Sequence, residues 1–477
     1  MSDRKPLVLD VDDTLLRTDL LYESLWAGLG RAPIATIRAV LANFTRPADL
    51  KARLYDIAAV RTDLMPLNEG ILQMAADARD EGREIILASA ADHRLVESLM
   101  ADHGYDGALG SVPGKNLKGV DKAEALVEAF GDKGYLYAGD ARADMPIWRS
   151  ASHAIVVGRA GGAMNRLKSA RVPATQIPSG WRVVDLMRAL RPHQWVKNIL
   201  LILPMIAAHS FDPALLLLVV LGMAAFSAAA SSIYIVNDLL DLEADRLHET
   251  KCKRPFAAGT VPIRVGMLTA VGLGALALGL GAFLSPAFLM VVAAYMVLSL
   301  AYSLKLKRMR WIDIFTLATL YTLRVVAGAA ASGVEASFFM LVFIFPVFVT
   351  LGCVKRMTEL ALAKSDERLP GRGYGRADRP DLLNVGILGM VGALLMFFFY
   401  SLSEQAQTLY PSQWLLWVAL LPIAGWLFRM LRLGWAGKQD YDPIVFALTD
   451  KRGLGLLMIT LSMMFYAAGL FNVWFGL

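Results

Sequence analysis

Hydrophobic residues are spread unevenly along this chain, and that unevenness limits its fold more than any motif does. From about Ile199 to the C-terminus, apolar stretches of roughly 17–24 residues recur, each long enough to cross a bilayer as a helix. They fall near 193–209, 214–235, 264–284, 287–304, 311–332, 336–354, 382–402, 413–432 and 453–476. This predicts about nine transmembrane helices, the first interrupted by Pro204. Residues before about 190 mix charged and apolar side chains as a soluble domain does. A chain of 477 residues, 56% hydrophobic and 19% charged, suits two or three domains, and the composition breaks near Arg182–Asn198.

The connecting segments alternate in charge. Those at 210–213, 285–286, 333–335 and 403–412 contain no Lys or Arg. The others are basic: 236–263 carries Lys251, Lys253 and Arg254, 305–310 reads KLKRMR, 355–381 holds Lys355, Arg356 and further arginines, and 433–452 ends in Lys451 and Arg452. The positive-inside rule then puts the N-terminal domain and the basic loops on the cytoplasmic side of the inner membrane, with the C-terminus outside. The net charge of +6 is therefore a matter of topology rather than of nucleic-acid binding. No signal peptide is expected, since Met1–Lys5 leads directly into a buried strand. Cys252 and Cys353 lie too far apart for metal-ligand spacing and imply no disulfide framework.

The second apolar segment ends in NDLLDLEADR, which supplies Asn237, Asp238, Asp241 and Asp245. Spacings of three and four place the carboxylates on one helix face, where they repel unless a shared cation neutralises them. Hard oxygen ligands suit Mg²⁺, which completes its shell with substrate phosphates and water. Lys251, Lys253 and Arg254 follow as cations for those phosphates. The pattern N-D-x-x-D-x-x-x-D after a second helix resembles the UbiA superfamily of intramembrane prenyltransferases, over about 190–477. That resemblance implies that Asp238 and Asp241, with Asp245, hold Mg²⁺ and a diphosphate leaving group.

The chain departs from aromatic prenyltransferases of that family after the sixth span. In place of a second D-x-x-x-D it reads Val354-Lys355-Arg356-Met357-Thr358-Glu359, with one acidic residue and two cations. Together with Leu190-Arg191-Pro192-His193-Gln194-Trp195-Val196-Lys197-Asn198, Tyr302-Ser303-Leu304-Lys305 and Asp442–Arg452, it resembles the decaprenyl-phosphate phosphoribosyltransferase branch. That branch implies phosphoribosyl diphosphate and a polyprenyl phosphate as substrates. Their extra phosphates call for more Lys and Arg, and Lys197, Asn198, Tyr302, Lys305, Lys355, Arg356 and Glu359 are the candidate contacts. Arg324 lies deep in the fifth span, where a charge faces the bundle interior; it reads as a buried structural pair or as a contact to phosphate or a helix end. Gly328 to Ala331 beside it would permit close helix packing.

In the N-terminal region, three short apolar strands end in Asp10-Val11-Asp12-Asp13-Thr14, in Ser89, and in Gly139-Asp140-Ala141-Arg142-Ala143-Asp144. Alternation with helical stretches predicts a parallel α/β sheet with a site at its carboxyl edge. The four elements, in order, resemble the haloacid dehalogenase (HAD) superfamily across about 5–175, a Rossmann-like sheet with a small helical cap at about 20–65. The resemblance implies Asp10 as nucleophile, Asp12 as general acid and base, and Ser89 as a phosphate contact. Lys118 or, preferably, Lys122 would act as the balancing cation, and Asp140 and Asp144 would complete a Mg²⁺ site with Asp10 and Asp12. The expected organisation is a HAD-like domain at 1–178, an interfacial linker helix at 179–192 and a UbiA-like all-α bundle at 193–477. The expected activity couples phosphoribosyl transfer to removal of the 5-phosphate, with Mg²⁺ in both domains. The alternative is prenyl transfer to an aromatic or other small acceptor, the first domain being accessory.

Overall fold

The computed structural model describes residues 4–158, 160–363, 368, 372–439 and 442–476, so part of the basic segment 355–381 lies outside the described residues. The chain divides into two compact units, Met1–Leu190 with Tyr234–Val271, and Arg191–Ile233 with Gly272–Leu477. Hydropathy alone assigns 234–271 to the membrane half, yet this segment packs with the N-terminal region.

The first unit is built on six strands, β1 Leu7–Leu9, β2 Ile85–Asp92, β3 Gly107–Ser111, β4 Leu136–Gly139, β5 His153–Val157 and β6 Ala174–Ile177. They form one parallel sheet in the order β3-β2-β1-β4-β5-β6. Both faces are covered, as continuous apolar runs demand. Leu7, Leu9, Ile85 and Leu87 pack with Ile71, Val96 and Leu99, while Val8, Ile86 and Tyr137 pack with Leu126, Trp148 and Leu167. The strand order reverses between β1 and β4, where open α/β sheets form their ligand crevice.

The helices of this unit are α1 Leu20–Arg31, α2 Pro33–Asn43, α3 Pro47–Ile57, α4 Glu69–Asp80, α5 His93–His103, α6 Val120–Phe130, α7 Met145–Ser150, α8 Ala163–Ser169 and α9 Val183–Leu190. Helix α9 exposes Val183, Val184 and Met187.

There follow α10 Leu203–Ala207, α11 Pro213–Leu240, α12 Leu242–Arg246, α13 Ile263–Leu284, α14 Pro286–Leu304, α15 Ile312–Ser332, α16 Phe338–Ala361, α17 Arg379–Ser401, α18 Glu404–Leu409, α19 Trp414–Trp435, α20 Pro443–Thr449, α21 Lys451–Ala467 and α22 Leu470–Phe475. Among the described residues, seven helices are long and apolar enough to cross a membrane. The two remaining expected spans are not single helices. The first is a run of 3₁₀ turns over Pro192–Ile202 that gives way to short α10, with Pro204 in its first turn. The last breaks at Gly469, whose left-handed φ of 71° ends α21 and begins α22. Leu268, Val271, Phe283, Met290, Val297, Phe338, Leu388 and Leu421 are exposed on these helices, as lipid-facing residues must be. Inside the second unit, Ile314, Tyr321, Phe348, Val354, Leu416, Leu427 and Met430 form the core.

Candidate active sites

In the first unit, β1 delivers Asp10 to the carboxyl edge of the sheet. The chain then makes one wide turn over Val11–Leu15, with Leu16 N–H bonded to Val11 O at 2.9 Å and Asp13 at φ 55°. This turn keeps both Asp10 and Asp12 at the edge. Asp12 Oδ1 accepts from Leu20 N at 2.8 Å, the first residue of α1, and its Oδ2 from Ser89 Oγ at 3.1 Å. Lys122 from α6 is buried; its Nζ donates to Asp10 Oδ1 at 2.9 Å, to Ala88 O at 3.1 Å and to Tyr137 Oη at 3.1 Å. Asp144 accepts from Tyr137 Oη at 3.2 Å and from Ala141 N at 3.0 Å. An added Cβ on Gly139 would meet Asp144 Oδ2 at 2.6 Å, so only glycine lets that carboxylate lie against the strand.

Asp10, Asp140 and Asp144 form a trio whose ligand atoms lie within 4.8 Å of one another. Asp12, predicted as a fourth ligand, is not part of it and is held instead by α1 and Ser89. Burial, reinforced by Asp10, Asp13 and Asp144, pushes Asp140 up to about 8. Burial, with Asp10 beside it, pushes Asp144 up to about 6, against the pull of Lys122. Burial, with Asp19 and Asp10 nearby, pushes Asp12 up to about 7. For Lys122, burial opposes the charge but Asp10 and Asp144 outweigh it and raise the ammonium. Three crowded carboxylates, with Asp140 and Asp144 raised by burial and by neighbouring carboxylates, are the donor set that a hard divalent cation relieves, so the trio fits Mg²⁺.

The sequence reading missed Lys51. Its Nζ, carried by α3, bonds Asn116 Oδ1 at 2.8 Å and Ala90 O, near the carboxyl end of β2. Burial lowers it, with Asp12 and Asp19 opposing. Nothing local in the sequence marks it, because it reaches the site from the helices between β1 and β2.

The aspartate-rich segment lies at the end of α11 and in α12. Asp238 and Asp245 are buried and converge on Arg254 Nη1, at 3.0 and 2.7 Å. Burial pushes Asp245 up to about 6 despite Arg254. The predicted trio of Asp238, Asp241 and Asp245 is not gathered like the first, because the guanidinium already sits between two of its members. Asn237 and Asp241 are half-buried, and Lys251 and Lys253 are exposed. The next residue, Arg246, is half-buried and pairs with buried Glu23 of α1 at 2.5 Å; Glu23 also accepts from Thr18 Oγ1 at 2.6 Å.

Two polar clusters occupy the second unit. In one, Asp442 caps the N-terminus of α20 and meets Lys197, Lys355 at 3.7 Å and Tyr321 Oη at 3.3 Å. Burial alone would raise the Asp442 carboxyl, but Lys197 and Lys355 hold it well below its ordinary range. Next to Lys197, Asn198 donates to Ser227 Oγ at 2.8 Å and accepts from Arg324 Nε at 3.2 Å. Arg324 further donates to Leu320 O at 2.7 Å and Tyr295 Oη at 3.0 Å. In the other, Arg356 is wholly buried among Asp313, Glu359 at 2.5 Å and Tyr302 Oη at 2.7 Å. Its donors meet protein groups, where the sequence reading expected a contact open to phosphate. Arg372 reaches Tyr302 Oη at 3.1 Å, and Lys305 is exposed. Asp442 opens the 442–452 segment, where the sequence reading gives it no role, and Asp313 is the partner that sequence reasoning did not single out; a lone carboxylate near a span end carries no periodic signal.

A helical bundle with lipid-exposed apolar flanks and buried cations at its helix ends defines a multi-pass membrane transferase, joined to a parallel-sheet unit. The chain belongs to the UbiA prenyltransferase family, whose model matches residues 199–449. It is 35% identical over 457 residues to uncharacterized protein y4nM of Sinorhizobium fredii, covering 94% of this chain and 88% of that protein. It is 38% identical over 197 residues to decaprenyl-phosphate phosphoribosyltransferase of Mycobacterium tuberculosis, covering 40% of this chain and 64% of that protein. A UbiA homolog from Archaeoglobus fulgidus bound to GPP and Mg²⁺ superposes with a TM-score of 0.46 at 16% identity, over 60% of this chain and 99% of that one.

Proposed function

We propose that the membrane part transfers phosphoribose from phosphoribosyl diphosphate to a polyprenyl phosphate, and that the N-terminal part, a HAD-like phosphatase, removes the product's 5-phosphate. Both sites would face the cytoplasm. The observation that carries the phosphatase reading is the convergence of Asp10, Asp140, Asp144 and buried Lys122 at the sheet's switch point. The transfer reading rests on the paired Lys197 and Lys355 and on the name of the mycobacterial relative.

In the transfer, a phosphate oxygen of the lipid attacks the anomeric carbon and diphosphate leaves. No strong base is required, since the nucleophile is already anionic. Lys197 and Lys355 would share their charge between Asp442 and the incoming phosphate, while Arg324 fixes Asn198 beside them. Asp238, Asp241 and Asp245 would hold the diphosphate's Mg²⁺, with Arg254 turning from the carboxylates to the phosphates. Bound Mg²⁺ would neutralise charge on the diphosphate and on the phosphoryl group to be hydrolysed. In the hydrolysis, Asp10 attacks phosphorus and forms an aspartyl-phosphate. Asp12, protonated near neutrality, gives its proton to the departing sugar oxygen and then takes one from the attacking water. Lys122 orients Asp10, and Ser89 would turn to a phosphoryl oxygen.

The purified full-length protein, given labelled phosphoribosyl diphosphate and polyprenyl phosphate, should release diphosphate and form a polyprenyl-phosphoryl-ribose that has lost its 5-phosphate. Asp10→Asn should accumulate the polyprenyl-phosphoryl-ribose 5-phosphate instead. If Asp10→Asn gave the wild-type product, the coupled scheme would be wrong. Transfer from a prenyl diphosphate to an aromatic acid, without transfer from phosphoribosyl diphosphate, would favour the prenyltransferase alternative.

A further inference from the structure

Helix α2 of the cap carries large apolar residues that the protein does not cover. Ile34, Ile37, Leu41 and Phe44 are 68%, 51%, 75% and 79% exposed. Phe44 continues the helical backbone at φ −54° and ψ −37°. At about 100° per residue, these four lie within an arc of about 80°. The opposite side holds Thr36, the helix's one buried residue, packed where a Cβ on Gly28 would otherwise sit. Arg38 borders the stripe on one side and Arg46 follows Phe44; both are exposed.

The immediate surroundings indicate what meets this face. Three residues before α2 begins, the Cα of Gly30 lies so close to Leu240 that an added Cβ would be 3.5 Å from its carbonyl oxygen. Leu240 is the last residue of α11, a helix of 28 residues that is apolar enough to cross a membrane. Arg31 then pairs with Glu243 at 2.8 Å, and Glu23 holds Arg246. The end of a spanning helix lies at the membrane surface, so α2 starts within a few residues of that surface. An uncovered apolar arc bordered by arginines is the composition of a helix lying in a bilayer interface, with arginines toward the headgroups.

We propose that α2 docks the cap onto the lipid surface at the end of α11, its apolar arc buried among the acyl chains. Resting on the phosphatase reading above, this docking would keep the mouth of the carboxylate site at the surface from which a lipid-linked phosphate ester enters. The cap is the right element for this, because α1 supplies the Leu20 N–H to Asp12 and α3 supplies Lys51.

The test uses full-length protein in nanodiscs of neutral and anionic lipids. With Cys252→Ser as background, a fluorophore is placed on Leu41→Cys or Phe44→Cys, and on Glu128→Cys of α6 as a solvent-facing control. Nitroxide-bearing acyl chains should quench the labels at 41 and 44 and leave that at 128 unquenched. Adding Ile37→Asp and Leu41→Asp should abolish quenching at 44. Labels at 41 and 44 that stay as bright as the control would overturn the proposal. So would fluorescence showing them in contact with a second copy, or quenching at 44 that survives the two aspartates. Quenching is read whether or not the carboxylate site hydrolyses anything, so failure of the phosphatase reading is distinguishable.

Discussion

Lys122 and Arg356 are both buried cations, but they answer to different demands. Lys122 stands beside carboxylates that also face the crevice, so its charge is available to a ligand. Arg356 is enclosed with Asp313 and Glu359, and its loss would strand buried carboxylates. Arg356→Met should therefore cost about 3–5 kcal/mol of stability, seen as a lowered melting temperature in detergent, whereas Lys355→Met should lower transfer and leave melting nearly unchanged. The acidic trio makes a pH-dependent prediction. Asp140 is raised to about 8, so the metal-free folded state binds more protons than the unfolded chain between about pH 4 and 8. Its contribution to stability is present at low pH and is lost as pH rises through that window. Added Mg²⁺ should accordingly raise the melting temperature more at pH 8 than at pH 6, and Asp140→Asn should shrink that difference. The acidic motifs are visible in sequence because strand ends repeat a short pattern. Lys51 and Asp313 are not, since their neighbours come from distant segments.

At the level of elements, hydropathy marks a span well when one helix carries it. It misreads Pro192–Ala207, where 3₁₀ turns and a short helix replace a single span, since apolar content says nothing of backbone pitch. The reason is visible at Gly328 of α15. A Cβ there would lie 2.0 Å from Leu201 O, so α15 is pressed directly against the irregular segment's backbone. Gly328→Val should reduce the monodisperse fraction on size exclusion, while Ala331→Gly should be mild. The close packing of small residues was readable from the Gly328–Ala331 run; its partner was not. In the first unit, the Glu23–Arg246 pair ties α1 to α12. Arg246→Ala leaves Glu23 buried without its cation and should destabilise the first unit by about 3–5 kcal/mol, checked by limited proteolysis of the full chain.

At the scale of the whole molecule, composition separates a soluble region from a membrane region but does not show that the chain returns. Residues 234–271 belong by position to the membrane half and by packing to the sheet-bearing unit. Gly259 shows how tightly: at φ 64°, an added Cβ would lie 2.7 Å from the carbonyl oxygen of Arg17. A fragment ending at Leu190 would thus lack part of its own fold and should be cut by protease faster than the same region in the intact protein. Most fusions join two modules by a single tether, and recombination can undo what it made with one cut. Here the returning segment with its Arg246 clasp means that a single break anywhere along the chain leaves at least one partner incomplete. Moving either unit into another protein would require three matched junctions.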